Sequence, residues 1–237
     1  MWPDEEMTVR TARIRTEKNR LKLNQFQPPL VPRYTEVGYK KEKLNPDTYA
    51  YLMEWYNKAS GSRVSEKWPA DNSYVNHWKV DTIMVNAPAR VRNRLYADLN
   101  QVMEDWAGTK LRRTSCYGVR LYFRDSVLAN HVDRVDTHVI SAIINVAQEN
   151  VDTPWPLYVR GHDGIAKSIT MEPGEIILYE SASVIHGRPE VFKGDLFANI
   201  FVHYAPVDGW TITDADVQRA ALEASRKKRS EQKTAKG

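Results

Sequence analysis

The spacing of hydrophobic residues changes from helical to alternating near residue 115. Asn45-Pro46-Asp47 is a typical helix start, and the segment TYAYLMEWYNKA that follows places its apolar residues at helical intervals. A second helix is predicted from about Ala89 to Trp106, with its end at Gly108. Its apolar positions are Val91, Leu95, Leu99, Val102, Met103 and Trp106.

Beyond Ser115, polar and apolar residues alternate, as they do in strands that bury one face. Turn sequences that contain glycine, proline or aspartate separate the candidate strands. Six or more short strands after two helices predict a mainly β protein, a barrel or sandwich braced by helices. The candidate strands are CYGVRLYF, THVISAIINVAQ, WPLYVR, AKSITME, EIILYES and LFANIFVHYAP.

The two ends of the chain differ from this middle part. The N-terminal segment is polar and basic and contains Pro28, Pro29 and Pro32, which favours an extended arm. Thr213 and Asp216 form a candidate capping box before VQRAALEAS, which predicts a C-terminal helix. The sequence therefore predicts three parts. Residues 1–45 form an extended basic arm, and residues 213–237 form a C-terminal helix with a basic tail. Between them lies a single domain over 46–212, with helices over 46–110 and a β core over 111–206.

Composition narrows the class of protein. The chain has 237 residues, of which 42% are hydrophobic and 10% aromatic, enough to form a folded core. No apolar run approaches the roughly 18 residues of a membrane span, and the N-terminus lacks the apolar segment of a secretory signal. Cys116 is the single cysteine, so an intrachain disulfide is excluded. We therefore expect a cytoplasmic protein without a membrane partner.

The formal net charge of +4 arises mainly near the two ends, in TVRTARIRTEKNRLK and RKKRSEQKTAKG. A nucleic-acid-binding face is one interpretation of these segments. We favour the other interpretation, solvated ends, because no aromatic residue interleaves with the basic residues of the C-terminal tail to stack against bases. Nucleic acid is therefore not the expected partner.

The segment ANHVDRVDTHVI contains two histidine–carboxylate pairs with one-residue gaps, His131 with Asp133 and Asp136 with His138. Alternate residues of a strand face the same side, so either pair could converge on a metal ion. His186 follows the apolar run IILYESASVI and would join the first pair from another strand. Two imidazoles and one carboxylate are the ligand set of non-heme Fe(II) oxygenases, whereas structural zinc would require four ligands, usually with thiolates.

Longer stretches of sequence resemble a known family. YGVRLYFRDSVLANHVDRVDTHVISAIINV, WPLYVRGHDG, MEPGEIILYESASVIHGRP and GDLFANIFVHYAP are similar to the prolyl 4-hydroxylase-like branch of the 2-oxoglutarate/Fe(II)-dependent oxygenases. The resemblance covers about residues 115–206. It implies a double-stranded β-helix (jelly-roll) core with supporting helices. It also implies oxidative decarboxylation of 2-oxoglutarate to succinate and CO2, coupled to hydroxylation of a C–H bond.

The resemblance implies that His131, Asp133 and His186 are the metal ligands and carry the catalysis. Halogenating relatives carry a small residue in place of the aspartate, so Asp133 favours hydroxylation. Fe(II) is then the implied metal, 2-oxoglutarate and O2 are the implied co-substrates, and ascorbate is a candidate auxiliary reductant.

The far carboxylate of 2-oxoglutarate also needs partners. Tyr122, nine residues before the first histidine, lies where the family has a tyrosine that hydrogen-bonds this carboxylate. Leu196 occupies the position at which prolyl 4-hydroxylases usually have a lysine, so another cationic or hydrogen-bond-donating group must serve if 2-oxoglutarate binds. Arg120 shares a strand face with Tyr122, and we take it as the hypothesis, with Arg188 and Lys193 as rivals.

The expected substrate, by analogy with the family, is a prolyl residue in a peptide or protein. A free amino acid or another peptidyl side chain is an alternative within the same reaction class. A non-catalytic jelly-roll module that binds a metal or a ligand is an alternative from a different class. The oligomeric state does not follow from the sequence.

Several further residues have less specific interpretations. Asp136 and His138 are expected to give supporting or structural contacts rather than metal ligation. His162 lies in a predicted turn, and His203 is interpreted as a packed or hydrogen-bonded imidazole. Trp155 could either line a substrate pocket or fill the core.

Overall fold

Twelve strands form two antiparallel sheets in the computed structural model, which describes residues 7–234. In chain order, the strands are β1 Tyr39–Lys43, β2 Arg63–Ser65, β3 Ile83–Asn86, β4 Leu111–Ser115, β5 Gly118–Tyr122, β6 Leu128–His131, β7 Ile140–Glu149, β8 Leu157–Arg160, β9 Ala166–Ile169, β10 Glu175–Tyr179, β11 Ile185–Arg188 and β12 Leu196–Pro206. The larger sheet has the order β1-β10-β7-β12-β5-β3-β2, with β4 also paired to β12. The smaller sheet has the order β6-β11-β8-β9.

The long strand β12 shows how the layers are built. Alternate side chains of a strand face opposite sides, and Leu196 and Ile200 pack with the helices outside the larger sheet. Phe197 and Phe201 point the other way, into the space between the sheets. This is the mainly β, jelly-roll layout with bracing helices that the sequence predicted.

Among the described residues, four helices accompany the sheets: α1 Met7–Phe26, α2 Pro46–Ala59, α3 Ala89–Ala107 and α4 Asp214–Thr234. The predicted helices α2 and α3 are confirmed, and both have the expected ends. The Asn45 side chain caps α2 by accepting from the backbone N–H of Asp47 at 2.9 Å. Helix α3 ends at Gly108, whose φ of 64° is the left-handed conformation that glycine adopts without strain.

The predicted C-terminal helix is α4, and it begins as expected. The Asp216 carboxylate accepts hydrogen bonds from the backbone N–H of Thr213 at 2.9 Å and from its hydroxyl at 2.7 Å. The last residues of the predicted basic tail, 235–237, lie outside the described part of the chain. Within residues 7–234, none of the helices has the length and apolar character of a membrane span.

The prediction of an extended arm over residues 1–45 is wrong for most of its length. Residues 7–26 form helix α1, and residues 39–43 form β1, which pairs with β10 in the larger sheet. The side of α1 that contacts the protein carries Arg13, Arg20 and Asn24 rather than an apolar stripe, so hydrophobic spacing did not reveal the helix. Three helices, rather than two, therefore precede the jelly-roll core among the described residues.

Candidate metal centre and its pocket

Three residues converge at one edge of the smaller sheet. His131 ends β6, Asp133 follows two residues later, and His186 lies in β11 directly opposite His131 in the strand register. The Oδ1 atom of Asp133 lies 3.4 Å from Nε2 of His131 and 3.7 Å from Nε2 of His186. The three candidate ligand atoms all lie within 4.8 Å of one another. The structure thus brings together the three residues that the sequence singled out as metal ligands.

Backbone hydrogen bonds orient both imidazoles toward this common point. The Nδ1 atom of His131 lies 2.7 Å from the carbonyl oxygen of Ala129, and Nδ1 of His186 lies 2.8 Å from that of Val184. A carbonyl can only accept, so Nδ1 carries the proton in each ring and Nε2 keeps its lone pair. Metal-bound histidines are typically oriented in this way.

The charge states also fit a metal site. Burial, with the neighbouring His131 as a second cause, lowers the pKa of His186 to about 4, which keeps this imidazole neutral near pH 7. Burial alone would raise the pKa of Asp133, but His186 and His131 lower it below its ordinary value, so the carboxylate is ionised. One carboxylate and two imidazoles form a donor set suited to a divalent transition metal such as Fe(II).

The second pair of the segment does not form a site of its own. The carboxylate of Asp136 pairs with Arg134 at 3.0 Å, while the ring of His138 packs on that of His203 with centroids 3.8 Å apart. Nδ1 of His203 lies 2.7 Å from the hydroxyl oxygen of Ser141 and 4.0 Å from Oδ2 of Asp133. The supporting contact beside the candidate ligand is thus made by His203, with His138 behind it.

The proximity of His203 to the candidate ligands was missed by sequence reasoning. The sequence predicts a packed or hydrogen-bonded imidazole, and the structure shows one that also lies beside Asp133. It shares the inward face of β12 with Phe197 and Phe201, so strand alternation on β12 could have placed it in the interior beside the metal site.

A cavity of about 410 Å³ leads from the protein surface to the three converging residues. Its inner part lies between the two sheets, and its outer part is bordered by the ends of α1 and α4 and by the segment before β3. The inner lining includes Ile143, Leu157, Tyr179, Asn199 and Phe201, together with two arginines, Arg120 and Arg188. The outer lining includes Leu23, Gln27, Trp68, Asn72, Tyr74, Tyr117 and Asp214.

Solved structures with a similar fold include a prolyl 4-hydroxylase from Pseudomonas putida, with a TM-score of 0.54 at 14% sequence identity over 76% of this chain and 98% of the other. A Trichoplax adhaerens prolyl hydroxylase, in complex with a hypoxia-inducible-factor peptide fragment, has a TM-score of 0.53 at 11% identity over 86% and 94% of the two chains. HygX from Streptomyces hygroscopicus, with nickel, 2-oxoglutarate and hygromycin B bound, has a TM-score of 0.53 at 12% identity over 73% and 84%. The chain has the fold of the 2-oxoglutarate/Fe(II) oxygenases. No protein-family model and no curated protein sequence matches it.

Within this oxygenase fold, Arg120 already has a partner. Its guanidinium forms two hydrogen bonds of 2.8 Å with the carboxylate oxygens of Glu66, a bidentate ion pair. The pKa of Arg120 is raised above its ordinary value: burial lowers it, but the hydroxyl of Tyr122 and the carboxylate of Glu66 outweigh that effect. An anion that entered the cavity would have to share Arg120 with Glu66.

Arg188 is in the opposite situation. It is only 1% exposed, and burial lowers its pKa to about 10. One terminal nitrogen donates to the carbonyl oxygen of Trp155 and the other lies 3.6 Å from the sulfur of Met171. The guanidinium carbon also lies 4.5 Å from the ring centre of Phe197. Among the described residues, no carboxylate forms an ion pair with Arg188, so the cation is buried without a counter-charge.

Tyr122 lies near both arginines, behind the residues that line the cavity. The side chain is fully buried, and its hydroxyl makes no hydrogen bond of standard geometry within the described part of the chain. Electrostatic interactions join the hydroxyl to Arg120 and to Arg188. The hydroxyl therefore already interacts with Arg120, and its proton could also be donated to an anion bound between the two arginines.

The remaining residues of this region are placed more simply. Lys193 is exposed outside the cavity, and Leu196 is buried on the helix side of β12. Trp155 fills the core beside Phe197 and donates its indole N–H to the carbonyl of Glu190. His162 lies in a turn, as predicted, where its ring contacts the hydroxyl of Ser183 at 3.1 Å.

Proposed function

We propose that this protein is a 2-oxoglutarate- and Fe(II)-dependent dioxygenase that hydroxylates a C–H bond of its substrate. The observation that carries the proposal is the convergence of His131, Asp133 and His186, with both Nε2 lone pairs directed at one point. Bound Fe(II), together with 2-oxoglutarate and O2, would supply the oxidising chemistry, with succinate and CO2 as co-products.

The chain itself supplies ligands, orientation and exclusion of water. The backbone carbonyls of Ala129 and Val184 hold the imidazoles in the ligating orientation. Ile143, Leu157 and Phe201 line the inner cavity with apolar surface, which keeps bulk water from the reacting atoms and strengthens electrostatic contacts within the site.

For the far carboxylate of 2-oxoglutarate, we now propose Arg188 in place of Arg120. Arg188 is a buried cation that lines the cavity and forms an ion pair with none of the described carboxylates, and the hydroxyl of Tyr122, which interacts with both arginines, lies beside it. A carboxylate bound there would satisfy both groups at once. The guanidinium comes from β11, where Phe197 of the neighbouring layer packs against it, and so replaces the lysine that prolyl 4-hydroxylases usually have at the position of Leu196.

The first substrate class to test is a prolyl residue in a peptide or protein. Two of the similar structures are prolyl hydroxylases, one of them with a peptide bound. A compact small molecule is the second class, because α1 and α4 border the mouth of the cavity and HygX, with a similar fold, holds hygromycin B. A cytoplasmic location stays a prediction from the sequence, consistent with the single buried thiol of Cys116.

The proposal is tested by succinate formation. The purified protein is incubated with Fe(II), 2-oxoglutarate and ascorbate, alone and with proline-rich peptides, and Asp133→Ala serves as the matched inactive variant. We expect succinate from the wild type and none from Asp133→Ala. A protein that binds no metal and forms no succinate under any condition would refute the proposal, and one that binds metal but forms no succinate would indicate the non-catalytic module.

A further inference from the structure

The strand that carries His131 is an edge strand of the smaller sheet. On one side β6 pairs with β11, which brings His131 opposite His186. On the other side, the segment before β3 covers only the beginning of β6. There the backbone N–H of Ala129 donates to the carbonyl of Tyr74 at 2.7 Å. Within the described part of the chain, no strand lies on that side of the backbone from residue 130 to residue 133. Such an edge is free to shift unless something else binds it.

Side chains of α1 take the place of the missing strand. The amide of Asn24 donates to the carbonyl of Asn130 at 2.9 Å and accepts from the N–H of Val132 at 3.0 Å. This is the pair of bonds that a neighbouring strand would make. Arg20, one helical turn earlier, donates to the same carbonyl of Asn130.

Gln27, just beyond the end of α1, binds the ligand residue itself. Its side chain is 1% exposed, and its Nε2 atom donates to the carbonyl of Asp133 at 2.7 Å and to that of Ala182 at 2.8 Å. The N–H of Asp133 in turn donates to the carbonyl of Ser181 at 2.8 Å. Both backbone polar groups of Asp133 are therefore held, one by Gln27 and one by the segment that precedes β11.

Apolar burial does not explain how α1 is attached. Ile14 and Leu21 of α1 are 49% and 51% exposed, whereas Arg13, Arg20 and Gln27 are almost fully buried. A helix attached by the hydrophobic effect shows the reverse pattern. Polar contacts with the backbone of residues 130–133 therefore contribute much of the attachment of α1 to the rest of the protein.

We propose that Asn24 and Gln27 are positioning residues for the metal site, and that α1 clamps the ligand-bearing edge of the smaller sheet through them. The inference rests on the proposed function, since the ligands are those of the proposed iron site. It assigns α1 a role in metal affinity: the helix fixes the backbone on both sides of Val132 and so fixes the distance between the ligand atoms of His131 and Asp133.

The test compares Gln27→Met with Gln25→Met, which makes the same change at an exposed position two residues earlier, in the last turn of α1. Metal-free proteins are titrated with Co(II), and the dissociation constant is read from the absorption of the bound ion. We expect Gln27→Met to weaken Co(II) binding by about 10- to 100-fold, the range seen when groups that orient metal ligands are removed. Gln25→Met should bind Co(II) like the wild type.

Hydrogen–deuterium exchange of the metal-free proteins gives an independent measurement. In Asn24→Leu and Gln27→Met, peptides spanning residues 129–135 should exchange faster, while peptides from β7 should exchange as in the wild type. A general loss of stability would instead speed exchange in both regions. If Gln27→Met does not fold, Asn24→Leu provides both measurements.

The outcomes separate this inference from the proposed function. The role of α1 would be refuted if the wild type binds Co(II) tightly and the variants bind it equally tightly and exchange at the wild-type rate over residues 129–135. The metal site itself would be unaffected by that result. A wild type that binds no Co(II) would overturn the proposed function and, with it, the role assigned to α1.

Discussion

At the scale of single residues, Arg188 makes the sharpest prediction. Replacing it with methionine removes a cation that has no carboxylate partner among the described residues, so the affinity for 2-oxoglutarate should fall more than the stability of the fold. A charge-assisted hydrogen bond contributes about 1.5–3 kcal/mol, which corresponds to a dissociation constant raised by about 10- to 150-fold. Isothermal titration of the Mn(II)-loaded protein with 2-oxoglutarate measures this change.

Variants of two other cationic residues, Lys193 and Arg120, serve as controls that identify which cation binds 2-oxoglutarate. Lys193→Met alters an exposed cation outside the cavity and should leave the affinity for 2-oxoglutarate unchanged. Arg120→Met should weaken binding much less than Arg188→Met, because Arg120 is already neutralised by Glu66. If Arg120→Met abolishes binding and Arg188→Met does not, Arg120 binds the far carboxylate, as the sequence predicts.

Cys116 gives a second prediction at this scale. The thiol is 5% exposed, and burial raises its pKa to about 12, so almost none of it is thiolate at pH 8. Only the thiolate attacks disulfide reagents, and we expect native Cys116 to react with DTNB more than about 100-fold more slowly than the same protein in guanidinium chloride. Because the folded pKa is the raised one, the native rate should still increase about tenfold per pH unit between about pH 9.5 and 10.5, where the unfolded thiol, with an ordinary pKa of about 8.5, is levelling off. Equal rates of DTNB reaction in the native and unfolded protein would contradict the burial of Cys116.

At the scale of elements, the contact between β11 and β6 depends on a residue without a side chain. A Cβ atom at Gly187 would lie 2.7 Å from Oδ1 of Asn130 and 2.9 Å from the carbonyl oxygen of Ala129. Gly187 thus permits the close approach that places His186 opposite His131. Gly187→Ala should force the two strands apart and weaken Co(II) binding by about tenfold or more.

The matched control for this change is Gly61→Ala. A Cβ atom at Gly61 meets nothing within 4 Å, so this variant should bind Co(II) as the wild type does. Circular dichroism of Gly187→Ala should remain that of a folded protein, since the larger sheet does not include β11. Wild-type affinity in Gly187→Ala would mean that the ligand geometry does not depend on the spacing of these strands.

The same scale shows why the sequence predicted some elements and not others. Helix α3 and the inner strands place apolar residues at helical or alternating positions because they bury them against the core, so pattern and structure agree. Strand β1 has the sequence YKKEK, which is polar because β1 is the edge of the larger sheet. Helix α1 buries arginine and amide groups against backbone carbonyls, an arrangement that leaves no hydrophobic period to detect.

For the whole molecule, some residues of the candidate site could be predicted from the sequence, whereas the partners of others could not. His131, Asp133 and His186 could be predicted because their spacing is local or follows from the resemblance, and the structure brings them together. The partners of Arg120 and Arg188 could not be predicted. Glu66 and Trp155 reach them from segments far apart in the sequence, and only tertiary packing decides which guanidinium is neutralised.

The last prediction concerns the stability of the whole chain. A ligand that binds only the folded state adds about 2.7 kcal/mol of stability at 100 times its Kd. For a chain of this size that corresponds to a rise in Tm of roughly 5–10 °C. We therefore expect Mn(II) with 2-oxoglutarate to raise the Tm measured by calorimetry, and EDTA to reverse the rise. Asp133→Ala, which removes the shared carboxylate, should show no ligand-dependent rise. An equal rise in wild type and Asp133→Ala would mean that these ligands bind elsewhere on the protein.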